Sequence, residues 1–492
     1  MASRRHPSLG RSVFAAAALL ALSAPWVLAA ALSPAILERA RTVRDRALDD
    51  DTAYECLRSL TTEVGPRLAG SPADARAVAW AVAKLKSLGF QNVRAEPVRV
   101  PRWIRGEARA EIVSPWPQSL TVAALGGSVA TPPEGVEAEV VTVGSLEELA
   151  KMPRDRIAGR IVFFNRRMER THDIAGYRAA VPIRSRGPSE AAKLGAVAAL
   201  IRSVGTSNAR FPHTGGTRND PKGPRIAGLA LSNPDADLLE RQIASGQPVR
   251  MRVFNTSVMA ESTMSANVIG EFPGRKWRKE IVLLAAHLDS WDLGTGAHDD
   301  GAGVAIVTAA ARLVAQMKPA RTLRVVLYAN EENGTSGARA YARDHRAEID
   351  QHVLGLESDL GAFRVLSLHS KVPLERLQVA REFHAALEPM GIVWGGNEAS
   401  AGADIDTLGG LGMPLMALET DAAPYFDLHH NANDTFDKVD PALLRQNVAA
   451  YAMVALMAAE VEGGLGRLPK PQATGSTPVE PIAKPGGAGT KP

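Results

Sequence analysis

Four short apolar runs in the second half of the chain, 281–286, 321–329, 352–356 and 414–418, each give way at once to acids or a histidine. Runs of this length bounded by turn residues read as buried strands, and open α/β sheets place their chemistry at the C-terminal ends of such strands. The first run delivers His287. The segment AAHLDSWDLGTGAHDDGAG, 285–303, then sets Asp299 beyond a loop containing Gly294 and Gly296, before a helix-like run from Val304 to Val314. The second run ends in Asn330-Glu331-Glu332-Asn333-Gly334. Side chains of consecutive residues diverge, so one Glu of the pair is free to bind a metal while the other faces a substrate as a proton carrier. The third leads into Glu357-Ser358-Asp359, and the fourth into Glu419 and then the stretch Tyr425 to Thr435, which holds His429 and His430. Each cluster alone is consistent with a capped turn, a solvated Glu pair or a surface His pair. Four of them, each at the end of an apolar run, point to a metal site. Asp289 lies two residues beyond His287, where its carboxylate would hold the second imidazole nitrogen and fix the tautomer, as carboxylates do for zinc-bound histidine.

The order His-x-Asp, Asp-Asp-Gly, Glu-Glu, Asp, His-x-x-x-Asp-Thr resembles the co-catalytic zinc aminopeptidase and glutamate carboxypeptidase family. VGPRLAGS (64–71), TPPEGVEAEV (131–140), LIRSV, PHTG (212–215) and ESDLG extend the likeness over roughly residues 35–460. The resemblance implies two zinc ions bridged by Asp299, one also held by His287 and Asp359, the other by Glu332 and His430. Three N/O ligands and an open position per ion is the catalytic pattern. It further implies a hydroxide shared by the two ions, with Glu331 as its general base. The family's His-x-x-x-Asp-Thr spacing selects His430 over His429. Asp404 falls where family members shape the substrate pocket, while Arg67, His213 and Thr214 lie in matching segments without an assigned role.

Composition fits an enzyme. With 492 residues, 45% of them hydrophobic, the chain suits two or three domains. Its net charge of +4 resides at the two ends: Arg4, Arg5 and Arg11 contribute +3 and residues 463–492 another +3, which leaves 32–462 at −2. A nucleic-acid partner loses its main support. The single cysteine, Cys56, permits no intrachain disulfide. Residues 1–31 read as a signal peptide: a basic start, an apolar stretch from Val13 to Leu22 and the small residues Ala29-Ala30-Ala31. The expectation is export to the periplasm or the medium, with no stable membrane insertion after cleavage, since no other stretch reads as long and apolar enough to span a bilayer.

Between about 128 and 259 the chain runs through β-like pieces, Val136 to Val143, Arg160 to Phe164, Arg225 to Leu231 and Val249 to Val253, with a helical composition from Glu190 to Ala199. The first candidate ligand comes only at residue 287, so this region reads as an insertion, and it resembles a protease-associated domain. The expected architecture is a mixed α/β sheet flanked by helices, of zinc-exopeptidase type, assembled from residues 33–127 and 260–462. A helix from Ala73 to Leu88 packs on the sheet, 128–259 forms a β-rich insert, and the Pro- and Gly-rich tail 463–492 is disordered. By resemblance the function is a dizinc exopeptidase acting on short peptides, above all dipeptides. An aminopeptidase on longer peptides, a receptor-like protein without zinc and a one-zinc aminoacyl cyclase are the alternatives, and a homodimer is left open.

Overall fold

The computed structural model describes Met1 and residues 31–470, so the expected signal segment up to Ala30 and the tail beyond Lys470 lie outside the described residues. Two eight-stranded sheets organise the rest. Across the first sheet the strands run Gln91–Ile104, Val258–Phe272, Arg321–Tyr328, Trp277–His287, His352–Glu357, Leu415–Thr420, Val365–Lys371 and Val393–Gly396. Trp277–His287 is parallel to both of its neighbours, with His287 opposite Tyr328 and Ala285 opposite Glu357. The chain leaves this strand toward one side of the sheet and later returns to the other. A crevice opens at such a reversal, outside the strand ends.

The apolar runs become central strands because their side chains are covered on both faces; Val282, Leu283, Leu284, Val325 and Val326 are all fully buried. Each such side chain contributes roughly 1.5–3 kcal/mol. Helix Ala302–Gln316 packs beneath them, and Gly303 lets it approach: a Cβ there would stand 2.1 Å from the carbonyl oxygen of Ser358. Helix Pro72–Ser87 lies on the outer strands, as expected. Helix Pro441–Glu460 is long and apolar enough to cross a bilayer, contrary to the expectation that no segment past the N-terminus would be. It is instead a core helix, buried from Val448 to Glu460 against helices Pro34–Leu48 and Ala302–Gln316.

The insert departs from expectation in three respects. Its sheet runs Gln118–Leu120, Ala108–Ser114, Arg250–Asn255, Val136–Val143, Ile161–Phe164, Ala198–Arg202, Ala227–Leu231 and Val122–Ala124. The expected boundary at 127/128 therefore falls inside this domain, which leaves the first sheet after Ile104 and returns at Val258, its paired neighbour. No change of composition marks that junction. With helices Ala175–Lys193 and Asn233–Ala244 the insert is α/β rather than only β-rich. The stretch Glu190 to Ala199 is helical only to Lys193: Gly195, at φ +89°, ends the helix and Ala198 opens a strand. The tail is also ordered further than expected, since Leu465 is buried and Arg467 donates to the carbonyls of Ile349 and His352.

Away from the crevice, His345 sits between Glu348 and Glu96, beside Arg324, which donates to Glu271 and Glu348. Burial alone would depress His345, but the two carboxylates outweigh it and raise it to about 9. Its hydrogen bond to Glu348 is the main cause that brings that carboxyl down to about 2. A histidine raised on folding stabilises fully below its unfolded pKa of about 6.5 and loses that contribution as pH rises through 9. A depressed carboxylate loses its contribution as pH falls from about 4.5 through 2. We expect His345→Gln to cost of the order of 2 kcal/mol between pH 4.5 and 6.5 and almost nothing above pH 10. Urea melts across that range check it, and a cost independent of pH would sink it.

Candidate active site

Five side chains converge in the crevice. His287 Nε2 lies 3.1 Å from Asp299 Oδ1 and 3.2 Å from Asp359 Oδ1. His430 Nε2 lies 3.1 Å from Asp299 Oδ2 and 3.0 Å from Glu332 Oε2. Asp299 thus turns one oxygen to each histidine. Tetrahedral zinc with bonds of about 2.0–2.1 Å sets neighbouring ligand atoms about 3.3 Å apart, so both sets have the right spacing to close on a cation. The second oxygen of Glu332 is buried without a partner among the described residues, a further opening for a metal.

Electrostatics agree with the geometry. Burial would push Asp299 up, yet hydrogen bonds from His287 and His430 hold it well below the usual carboxylate range. Against the same burial, the Asp359, Asp289 and Asp299 carboxylates raise His287 well above its ordinary value, and Glu332 and Asp299 raise His430 to about 9. Positive charge is favoured at two points, one on each side of Asp299.

The loops around these residues are held by groups whose roles the sequence did not disclose. Arg67 is fully buried and donates to the carbonyls of Leu288, Thr295 and Gly296, clasping the loop between His287 and Asp299. Asp434 accepts from the backbone N–H of His298 at 2.7 Å and of Asp299 at 3.1 Å. Asp300 accepts from the N–H of His287 and of Gly303, which commits both its oxygens to backbone. The only signal in Arg67 was its place in the matching segment VGPRLAGS, which assigned it no role. Asp434 was visible as part of a pattern, without its partners.

Asp289 needs correction. The imidazole Nδ1 of His287 faces the backbone oxygen of Asp289 at 3.0 Å, and the carboxylate stands off at 3.8 Å. That carboxylate accepts instead from the N–H of Glu331, 3.0 Å away, so it anchors the turn of the Glu pair. The strand ends at His287, and the Asp289 side chain is drawn away from the imidazole by its bond to the Glu331 N–H, which leaves the main-chain oxygen facing Nδ1.

Both histidines lie close to Asp299, in different settings. His429 Nε2 is 3.8 Å from Asp299, its Nδ1 has no partner among the described residues, and its ring stacks on His430 at 3.5 Å between centroids. Burial, and the charge of His430, hold it well below its ordinary value. Asp404 is buried with both oxygens unpartnered among the described residues, while its neighbours Ser400 to Ala403 line the cavity. His213, held by burial near pKa 4, contacts the histidine turn from the insert.

A cavity of about 1070 Å³ lies over the carboxylates and histidines, between the sheet edge and the insert's helix Ala175–Lys193. Glu331 faces it, its carboxyl pushed well above the usual range by burial and, further, by Asp359 and Glu332. Around the mouth stand Arg178, Arg186, Arg218 and Arg339, none with a carboxylate partner among the described residues.

A buried carboxylate set between two histidines, with a glutamate facing the cavity beside them, at the strand ends of a mixed α/β sheet, is the arrangement of a metallopeptidase. The chain belongs to peptidase family M28, whose model matches residues 267–455, and it is a peptidase of that family. It is similar to carboxypeptidase Q of Bos taurus, 36% identical over 417 residues that cover 84% of this chain and 87% of that one, and to carboxypeptidase Q of Homo sapiens, 34% identical over the same shares. The crystal structure of a peptidase M28 precursor from Shewanella amazonensis SB2B superposes with a TM-score of 0.87 at 44% identity, covering 88% of this chain and 99% of that one. BSAP, a zinc aminopeptidase from Bacillus subtilis, shares the fold at 19% identity and a TM-score of 0.60, over 85% of this chain and 97% of that one.

Proposed function

We propose that the protein is an exported dizinc exopeptidase that hydrolyses short unblocked peptides, dipeptides above all. The observation that carries this reading is the division of the two Asp299 oxygens between His287 and His430. His287, Asp299 and Asp359 would hold one ion, and His430, Asp299 and Glu332 the other. Bound zinc supplies Lewis acidity for the scissile carbonyl and lowers the pKa of water. Glu331 accepts the proton of the attacking water and returns it to the leaving amine. Asp289 keeps Glu331 in place through its backbone N–H.

Two features support a short substrate with a free carboxylate. The insert covers the cavity and limits the length of chain that enters, and the unpaired arginines at its mouth attract an anionic terminus. Export rests on the basic and apolar pattern of residues 1–31. The test compares unblocked dipeptides with the same sequences amidated at the C-terminus or acetylated at the N-terminus, and with a denatured protein. We expect amidation to cost at least tenfold in kcat/KM and the protein to resist cleavage. Rapid internal cleavage defeats the reading, and sensitivity to the N-terminal block alone converts it to an aminopeptidase.

A further inference from the structure

The segment Pro212-His213-Thr214-Gly215 belongs to the insert, yet it touches the first domain at the turn that carries His430. His213 and Thr214 are wholly buried. His213 Nδ1 lies 2.7 Å from the carbonyl oxygen of His429, and its Nε2 lies 3.1 Å from Asn431 Nδ2. One tautomer satisfies both: Nδ1–H donates to His429 and Nε2 accepts from Asn431. Thr214 N–H donates to the carbonyl of His430 at 2.9 Å, and the carbonyl of Thr214 stands 3.3 Å from His430 Nδ1. With Nε2 of His430 turned to a metal, its Nδ1–H can donate to the Thr214 carbonyl, beside Arg184 Nη1, which also lies 3.3 Å from Nδ1.

The turn so gripped is strained. His430 has φ +62°, a left-handed conformation that a residue with a bulky ring adopts only where its surroundings impose it. The grip is itself braced, because Arg105 donates to Asp292, in the loop between His287 and Asp299, and to the hydroxyl of Thr214 at 3.2 Å. Gly205 leaves room for the His213 ring, which a Cβ there would meet at 2.2 Å.

We infer that His213 is a positioning residue for His430: through its hydrogen bond to the His429 carbonyl, the insert fixes the strained turn and thereby the affinity of the ion held by Glu332 and His430. The insert is then part of the metal centre as well as its cover. This inference rests on the dizinc reading above.

Asn and Gln separate the two ring nitrogens, since an Asn amide reaches about as far as Nδ1 and a Gln amide about as far as Nε2. Wild type, His213→Asn and His213→Gln are loaded with zinc and titrated with a chelator, and the zinc retained per chain is measured alongside the melting temperature of each zinc-free form. We expect His213→Asn to hold both ions like the wild type. His213→Gln should release one of the two at roughly 10–100-fold lower chelator concentration and keep the other, with zinc-free melting temperatures alike. Equal retention by the two variants, or loss of both ions together, overturns the inference. A wild type that binds fewer than two ions overturns the dizinc reading instead.

Discussion

Replacing Glu331 with Gln is expected to leave the metal content unchanged and to lower turnover by about 10²–10⁴-fold, the range for loss of a general base. Glu331 lines the cavity, its carboxylate makes no hydrogen bond among the described residues, and it does not belong to either histidine set. The amide preserves shape and the main-chain link to Asp289 while removing the ability to take a proton. Metal analysis and steady-state kinetics on one preparation decide the matter. Loss of zinc from Glu331→Gln would make Glu331 a ligand, and an unchanged metal content in Glu332→Gln would exchange the two roles.

His430→Ala should remove one zinc and abolish activity, whereas His429→Ala should keep both ions and most of the turnover. His430 Nε2 is within 3.1 Å of two carboxylates, but His429 approaches only Asp299, at 3.8 Å. Without His430, Glu332 and one oxygen of Asp299 are left to hold the ion, short of the three protein ligands of a catalytic zinc site. His429 contributes its stack on His430 and an edge contact with Tyr177 at 5.1 Å, so its loss costs on the order of 1 kcal/mol of packing. Equal metal loss in the two variants would leave the ligand unidentified.

The strands that end at His287, Tyr328 and Glu357 were legible in the sequence because a buried strand is a run of apolar residues, whatever surrounds it. His287, Glu331, Glu332 and Asp359 were legible for the same reason, because they follow on those runs, whereas Asp299 and His430 lie in loops further on and were marked only by the family resemblance. What the sequence withheld was whatever depends on contacts between distant segments. Arg67 finds its carbonyl partners more than two hundred positions away, and Asp289 was given to the wrong neighbour because a main-chain oxygen leaves no mark in a sequence. The start of the insert was misplaced for a related reason. Residues 108–114 are alternating strand residues that suit either sheet, and only their pairing with 250–255 assigns them.

Helix Pro441–Glu460 fills the centre of the first domain, and His430 lies in the stretch that leads into it. A chain emerging from the ribosome therefore has neither its last metal ligand nor the helix that covers its sheet until almost all of it has been made. Hydrolytic power comes last.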